Sequence, residues 1–534
     1  MTLSKLTLTV LIAAVPMFAA TCDDLAKASL PNATINSASL VAAGAFVTPP
    51  APADPFAPVA AKGAPKGKGA PKGKGDAKAG DGKGKGAQAN PYAMLPAFCR
   101  IAATLTPTSD SDIKVEIWLP ATGWNGKYQA VGNGGWAGTI SYTAMATALQ
   151  KGYATSSTDT GHVSGRAFFA LEHPEKIVDY AYRSEHEMVL KSKALIQEFY
   201  GSPARLSYWV GCSTGGKQGL TEAQRYPGDF DGIIAGAPAN YMIHLHVWSI
   251  WVNQATNKTP DSFLENEQLA VLKNAVLAAC DAKDGVKDGL LQDPTKCKFD
   301  PATVLCKPGV TTGCLTAPQV AAAKQIYSPA TNPRTKAVIF PPLEPGSEMG
   351  WAGLGGRTPN SIPVDTFKYA LFKNPDWDPM TLNFDKDVAR ADDLDNGLNN
   401  AINPDLSPFF KHNGKLIMYH GWNDQLIAPE NSINYYNSVA KKLGGVSQID
   451  QNMRLFMVPG MTHCQGGDGP NTFDAVSALE QWVEQNKAPD TMAATHATGG
   501  QVDRTRPLCK YPQAAKYKGS GSIDELSSFT CAAQ

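Results

Sequence analysis

The sequence carries no net charge, since 48 lysines and arginines stand against 48 aspartates and glutamates over 534 residues. Nothing global therefore draws the chain toward nucleic acid or an anionic membrane. It also lacks any C-x-x-C pair, so a thiolate zinc site has no supporting spacing. Beyond the N-terminus it has no apolar run long enough to span a bilayer. Hydrophobic residues are not scarce: at 43%, with 18% charged, the composition is that of a globular protein and excludes wholesale disorder. A chain of this length buries one large core with a substantial insertion, or divides into two or three domains.

What is present begins with an address. MTLSKLTLTVLIAAVPMFAA has one lysine, a short apolar stretch and then small residues, which is the pattern of a secretory signal peptide over residues 1–20, cleaved near Ala19 or Ala20. Export to the periplasm or the medium is the expectation. An even set of ten cysteines then reads as disulfides in an oxidising compartment. Proximity favours Cys280–Cys297, Cys306–Cys314 and Cys509–Cys531. Residues 21–91 read as an N-terminal extension whose 47–90 stretch, alternating Ala, Gly, Pro and Lys, has little to bury and reads as a solvated tether. If Cys22 pairs with Cys99, that tether becomes a loop closed at its base.

Order is expected to resume near Tyr92. IKVEIWLP (113–120), KYQAV before GNGG, YATSSTDTG (153–161), LSYWVG (206–211), FDGIIAGAPA (230–239), KLIMYHGWND (415–424) and MRLFMVPG (453–460) read as strands, the last two closing the set. A helical pattern runs from about Ile177 to Phe199, and another follows LSYWVG until Pro227. Short apolar runs alternating with helices predict an α/β fold with a mostly parallel sheet, helices on both faces, in two parts, 92–239 and 403–534. Between them, 240–402 breaks the rhythm and reads as an inserted lid over the strands' C-terminal edge, where open α/β sheets bind ligands.

Gly211-Cys212-Ser213-Thr214-Gly215 fits G-x-S-x-G, the strand-to-helix turn that exposes a nucleophilic serine. A serine hydroxyl needs a base to take its proton, and the base needs an orienting carboxylate. Asp424 ends one predicted strand and His463 follows the next, in the Ser, Asp, His order of α/β-hydrolases. His420 precedes Asp424 and breaks that order, whereas His162 in DTGH reads as a loop-ordering hydrogen-bonder. The cysteines beside the pair are informative: a bond between Cys212 and Cys464 would hold their Cα atoms roughly 4.4–6.8 Å apart and bring Ser213 and His463 together. The amide of Thr214 and one from GNGGW, Gly134 or Gly135, are the expected oxyanion donors. Asp281, Asp284 and Asp288 bunch in CDAKDGVKDGLLQDPTKC; taken alone, they read slightly better as solvated Asp-Gly turns than as calcium ligands.

GNGGWAG, STDTGH, GCSTGGKQGL, CDAKDGVKDGLLQDP, YHGWNDQLIAP and MTHCQGG together resemble the tannase/feruloyl esterase family of secreted α/β-hydrolases, which also includes mono(2-hydroxyethyl) terephthalate hydrolase-like enzymes. The resemblance implies a catalytic triad of Ser213, Asp424 and His463 and the bridge Cys212–Cys464. It also supports Cys22–Cys99, Cys280–Cys297, Cys306–Cys314 and Cys509–Cys531. It reverses the reading of the aspartate loop, implying a structural Ca²⁺ held by Asp281, Asp284 and Asp288 with the carbonyls of Val286 and Leu290. Lid residues set substrate choice in that family; here the lid offers Trp248, Trp251, Trp351, Phe367, Tyr369, Phe372 and Trp377, two or three of which are expected to meet substrate. Half-ester hydrolases of the family use a lid arginine, and none of Arg334, Arg357 and Arg390 aligns to that role. The implied activity is hydrolysis of small aromatic esters, feruloyl or galloyl, with a serine peptidase or a non-catalytic binding protein as rivals. No nucleic-acid partner or membrane span is expected.

Overall fold

The computed structural model describes residues 20–56 and 90–533. All of the expected leader except Ala20, and the lysine-rich stretch 57–89, lie outside the described residues. Nine strands form one sheet. They are β1 (Ala33–Val41), β2 (Phe98–Leu105), β3 (Ile113–Pro120), β4 (Lys127–Val131), β5 (Ala154–Thr158), β6 (Leu206–Cys212), β7 (Gly232–Gly236), and, after a small ribbon of β8 (Ala330–Thr331) and β9 (Val338–Phe340), β10 (Lys415–Gly421) and β11 (Met453–Val458). Their order is β1-β2-β3-β5-β4-β6-β7-β10-β11. The ladders from β5 through β4, β6, β7 and β10 to β11 are parallel, and those joining β1, β2, β3 and β5 are antiparallel. The sheet is thus a mixed one with a parallel half. The central strands β4 to β7 are short and largely buried because both of their faces are covered, and β5, ATSST, is buried although mostly polar.

Helices cover both faces. On one side α3 (Ser184–Tyr200) brings Met188, Val189, Leu195 and Ile196, and α4 (Thr214–Arg225) brings Leu220 and Ala223, onto Tyr128, Trp209, Ile233 and Leu416. On the other, α1 (Tyr142–Gln150) and the helix Ala475–Gln485 place Ala148, Leu479 and Trp482 against Tyr208, Ile234, Ile417 and Phe456. The predicted helix over 177–199 is really three pieces: α2 (Pro174–Val178), a π-helical turn Asp179–Arg183, and α3. Such π-turns recur near functional sites, and this one carries Tyr180 to the glycine loop described below.

Order begins earlier than Tyr92 and strands continue after residue 460, which corrects two expectations. β1 is an edge strand whose residues ATINSASLV are exposed or half-buried, so no alternating apolar signal marks it. It is fixed by its backbone ladder to β2, and Cys22–Cys99 ties the neighbouring N-terminal segment to β2 at 5.6 Å between Cα atoms. At the other end, Thr491–Thr498 pairs with Gln501–Cys509 around Gly499-Gly500, a hairpin signal present in the sequence but not used. A second hairpin, Gln513–Tyr517 with Phe529–Ala533, follows, and Cys509–Cys531 links the two.

Residues between β7 and β10 pack a core of their own. Trp248 and Ile250 of α5 (Met242–Asn257) and Leu269 and Leu272 of α6 (Asn266–Cys280) meet Phe340, Trp351 and Phe367 there. This inserted body touches the sheet's C-terminal edge, and Ile427 and Ala428 from the loop after β10 are built into its core.

Candidate active site

Ser213 stands between β6 and α4 with φ 63° and ψ −125°, a region that non-glycine residues rarely occupy. Its amide donates to Gly236 O at 2.9 Å, which pins the turn to β7. The flanking glycines follow from crowding: a Cβ on Gly211 would lie 2.3 Å from Gly215 O. The side chain of Ser213 is half-buried and has no hydrogen-bond partner among the described residues. A hydroxyl held in a strained turn at the foot of a helix is available to a reactant.

Asp424 and His463 come from the turns after β10 and β11, two adjacent parallel strands. Trp422 N donates to Val458 O at 2.9 Å and Asn423 N to Met461 O at 3.0 Å, so the two turns are laced together. Asp424 is fully buried. Its Oδ1 accepts the amides of Leu426 and Ile427 at 2.8 and 3.0 Å, and its Oδ2 faces His463 Nδ1 at 2.8 Å. With Nδ1–H donating to the carboxylate, the imidazole presents Nε2 as an acceptor. Burial works against charge on both partners. Against it, the Asp424 charge and hydrogen bond raise the His463 pKa above its ordinary value, and the two histidines beside Asp424 hold its carboxyl below the carboxylate range.

The second of those histidines is His420, set aside in the sequence because it breaks the Ser, Asp, His order. Its Nε2 lies 3.1 Å from Asp424 Oδ2 and 3.1 Å from Ile427 O, while Ser432 Oγ meets its Nδ1 at 2.7 Å. Two acceptors on one side and a hydroxyl on the other are satisfied by a proton on Nε2. His420 therefore props the carboxylate from behind as His463 engages it in front. The signal for it was its i, i+4 spacing to Asp424 across the strand end.

Cys212 and Cys464 are bonded, with Cα atoms 5.9 Å apart across a sequence separation of 252 residues. Each sulfur is one residue from a member of the expected triad, Ser213 on one side and His463 on the other. Cys464 itself adopts φ 65°. Four further pairs complete the set, Cys22–Cys99, Cys280–Cys297, Cys306–Cys314 and Cys509–Cys531, and no free cysteine remains among the described residues.

The glycine loop after β4 is tied to the start of α4. Asn133 O accepts Gly215 N at 2.8 Å, and Gly135 O accepts both Thr214 Oγ1 at 3.1 Å and Tyr180 Oη at 2.8 Å. The amides of Thr214, Gly134 and Gly135 have no acceptor among the described residues. Gly135 takes φ 55°, and a Cβ there would lie 2.9 Å from Ile362 Cδ1 of the inserted body. Trp136 Nε1 donates to Ile362 O at 3.0 Å, and Asn423 Nδ2 to Gly346 O at 2.9 Å. The insertion thus contacts both the glycine loop and the Asp424 turn. His162, as read from the sequence, orders a loop: its Nε2 lies 2.6 Å from Trp136 O.

The aromatics divide. Trp248, Trp351 and Phe367 are fully buried in the insertion's own core, and Tyr369 packs with Trp136 and Phe169. Trp251, Phe372 and Trp377 are partly buried against that core. The arginines are engaged: Arg334 with Asp385 at 2.8 Å, Arg357 with Glu265 at 2.8 Å, and Arg390 over the Phe372 ring at 4.2 Å.

In the aspartate loop, Asp281 accepts the amides of Asp288 and Gly289, Asp284 those of Val286 and Gln292, and Asp288 that of Leu290. Asp288 also pairs with Arg506 at 2.7 Å, both side chains buried. Burial raises the Asp284 pKa, and the charges of Asp288 and Asp281 add to that. The donor chemistry fits a hard cation: three carboxylates with one arginine leave negative charge uncompensated, and left-handed Gly285 and Gly289 permit the turns. The three carboxylates do not all converge within 4.8 Å of one another, so the loop is more open than a closed coordination shell.

A strained serine turn, a buried carboxylate bound to an imidazole, and free amides at a helix start, all beside the C-terminal ends of parallel strands, define an α/β-hydrolase. Residues 99–532 match the family of tannase and feruloyl esterase, and the chain belongs to that family. It is 35% identical to a probable feruloyl esterase B-1 of Aspergillus oryzae, covering 84% of this chain and 86% of that one. It is also 35% identical to an uncharacterised esterase of Xanthomonas campestris pv. campestris, covering 96% and 91%. The crystal structure of feruloyl esterase B from Aspergillus oryzae superposes with TM-score 0.84 at 31% identity, covering 96% of this chain and 99% of that one. The fold alone is shared with tannin acyl hydrolase from Aspergillus niger, at TM-score 0.74 and 22% identity over 96% and 95%. The protein is a carboxylic ester hydrolase.

Two measurements probe the geometry. Changing both Cys212 and Cys464 to Ala should lower kcat on the order of 10²-fold, the cost of misplacing reacting groups by about 1 Å, with KM nearly unchanged; an unaltered kcat removes the bracing role. Asp424→Asn should lower kcat on the order of 10⁴-fold. Because a base works only when neutral, activity falls as pH drops through the His463 pKa, which lies above the ordinary 6.5. Asp424→Asn deletes the charge that raises it, so the acidic limb should move to lower pH. A limb that stays in place contradicts the pairing.

Proposed function

We propose that the chain is an exported serine esterase that hydrolyses aromatic esters, of the hydroxycinnamate or gallate type, through an acyl-enzyme. The observation that carries the reading is the His463–Asp424 hydrogen bond, lying one disulfide away from the strained Ser213. In this reading His463 Nε2 takes the Ser213 proton as Oγ attacks the ester carbonyl. Asp424 fixes the imidazole's tautomer and stabilises the cation that forms. The amide of Thr214 with that of Gly134 or Gly135 receives the developing oxyanion. His463 returns the proton to the departing alcohol, and water, deprotonated by the same imidazole, then releases the acid.

The aromatic acyl group is supported by the family and by the names of its relatives, the probable feruloyl esterase B-1 among them. Partly buried Trp251, Phe372 and Trp377 are candidates to meet a ring, whereas Trp248, Trp351 and Phe367 serve the insertion's core. A terephthalate half-ester would need a cation for its free carboxylate. Arg334 and Arg357 are committed to acidic partners, so neither favours that substrate. Export is supported by the leader pattern and by five disulfides. Among the described residues no helix is long and apolar enough to cross a membrane. In the inserted body, which this reading makes a lid, Asp281, Asp284 and Asp288 with the carbonyls of Val286 and Leu290 would hold Ca²⁺. The ion would neutralise the loop and brace the insertion, with no part in the proton transfers.

An organofluorophosphonate should label Ser213, and Ser213→Ala should abolish both labelling and turnover; absence of the adduct would favour a non-catalytic binder. Feruloyl and galloyl esters should be cleaved well ahead of a terephthaloyl half-ester and of the matching amide. Faster amide cleavage would make the protein a peptidase. Removing calcium with a chelator should lower the unfolding temperature, with about 2.7 kcal/mol of stabilisation restored at a hundredfold excess of Ca²⁺ over its Kd. Asp284→Asn should unfold at the same temperature with or without Ca²⁺, and a response equal to that of the unaltered protein would place the ion elsewhere.

A further inference from the structure

Away from the reactive serine, α3, α4 and the loop leading into β7 bring His186, Glu222 and Asp229 together. One ligand atom from each, a ring nitrogen and two carboxylate oxygens, lies within 4.8 Å of the others, and theirs is the grouping of this kind among the described residues. His186 Nδ1 is 2.6 Å from Asp229 Oδ2. Glu222 is 1% exposed, and neither of its carboxylate oxygens has a hydrogen-bond partner. A buried carboxylate with both oxygens unmatched is costly, and among the described residues Glu222 is the carboxylate that lacks a partner on both. The His186 ring is itself held in place, stacked on Tyr226 at 3.7 Å with the planes 6° apart.

We propose that His186, Glu222 and Asp229 form a binding site for a divalent transition cation of the zinc type, separate from the aspartate loop. The donor set decides the class of ion. Calcium takes six to eight oxygens, whereas one imidazole with two carboxylates suits a small four-coordinate cation with water as the remaining ligand. The ion would replace the proton between His186 and Asp229 and supply the missing partner of Glu222.

Charge around the cluster agrees. Two carboxylates stand beside one imidazole, an excess of negative charge for a cation to offset. The nearby cation is Lys193, whose Nζ donates to the backbone oxygen of Asp229 at 2.5 Å and so balances the site only in part. The alternative is a proton shared between Glu222 and Asp229, which would satisfy one Glu222 oxygen and no metal. Position gives the site a consequence: Glu222 is on the helix that begins at Ser213, and Asp229 lies in the loop before β7, whose Gly236 O holds the Ser213 amide. A bound cation would staple both sides of the serine turn to α3.

The test uses the full exported chain, stripped with a chelator, resaturated with Ca²⁺ and titrated with Co²⁺ and with Zn²⁺ by calorimetry and visible absorption. The expected result is one equivalent of Co²⁺ per chain, with d–d bands of nitrogen and oxygen ligation, displaced by Zn²⁺, and a rise in unfolding temperature. His186→Ala and Glu222→Gln should each weaken binding about 100-fold or more, beyond the cost of losing an outer partner, while an Asp281→Asn/Asp284→Asn variant should still bind. His186 is partly exposed, so its variant serves if Glu222→Gln does not fold. Absence of Co²⁺ uptake in the presence of Ca²⁺ would overturn the site in favour of the shared proton. Uptake unaffected by His186→Ala would place the metal elsewhere.

Discussion

One covalent constraint organises the reactive edge of this molecule. Ser213 and His463 belong to turns that follow β6 and β11, strands separated in the sheet by β7 and β10. Hydrogen-bonded ladders fix the strands, and backbone bonds such as Ser213 N to Gly236 O and Asn423 N to Met461 O carry that order into the turns. The Cys212–Cys464 bond joins the two turns at the residues beside Ser213 and His463. On a chain-entropy account, closing a loop of this length is worth about 5 kcal/mol. That exceeds the cost of order 1–3 kcal/mol for holding a non-glycine residue in a rare backbone region. Both Ser213 and Cys464 are in such regions, on the two turns that the bridge joins.

The remaining order around the pair is built outward by hydrogen bonds. Asp424 has both oxygens occupied, one by two amides and one by two imidazoles. A carboxylate so supplied stays ionised despite complete burial, and its charge in turn raises the His463 pKa. The glycine loop is tied to α4 by Asn133 and Gly135 carbonyls, and the Thr214, Gly134 and Gly135 amides have no acceptor among the described residues. Tyr180 reaches the same Gly135 oxygen from a π-turn, a local widening that shifts a side chain's direction without ending the helix.

Much of this was legible because short-range chemistry sets it. Strand β3 announces itself by alternation, β6, β7, β10 and β11 by apolar runs leading into glycine or aspartate, and G-x-S-x-G fixes the turn because Gly211 and Gly215 must approach more closely than a Cβ allows. The doubled pattern of Cys-Ser and His-Cys links two distant stretches in a way periodicity cannot. What escaped depends on tertiary context. β1 has no alternating face because it lies at an edge, and its place comes from pairing with β2. His420 was legible as a strand-end histidine, yet only the sheet's geometry directs it at Asp424 Oδ2. Glu222 looked like any helix-face carboxylate, and its burial against His186 and Asp229 follows from how α3 and α4 lie together on the sheet. Among lid aromatics, sequence cannot separate core from contact surface, because both want large apolar rings.

The insertion meets the hydrolase sheet through a few named contacts. Ile362 presses on Gly135 and takes a hydrogen bond from Trp136, Gly346 O holds Asn423, and Ile427 and Ala428 after Asp424 are part of the insertion's core. These touch the glycine loop and the Asp424 turn, which are also tied to α4 and to the turn after β11. A change among the partly buried Trp251, Phe372 and Trp377 alters the insertion's periphery, while the links to Gly135 and Asn423 run through Ile362 and Gly346 instead. The aspartate loop adds a further contact. Arg506, from the hairpin of Thr491–Thr498 and Gln501–Cys509, pairs with Asp288 inside the insertion, and Val286 of the same loop packs with Cys509, Ala515 and Phe529, so the C-terminal strands hold the aspartate loop by charge and by apolar contact together.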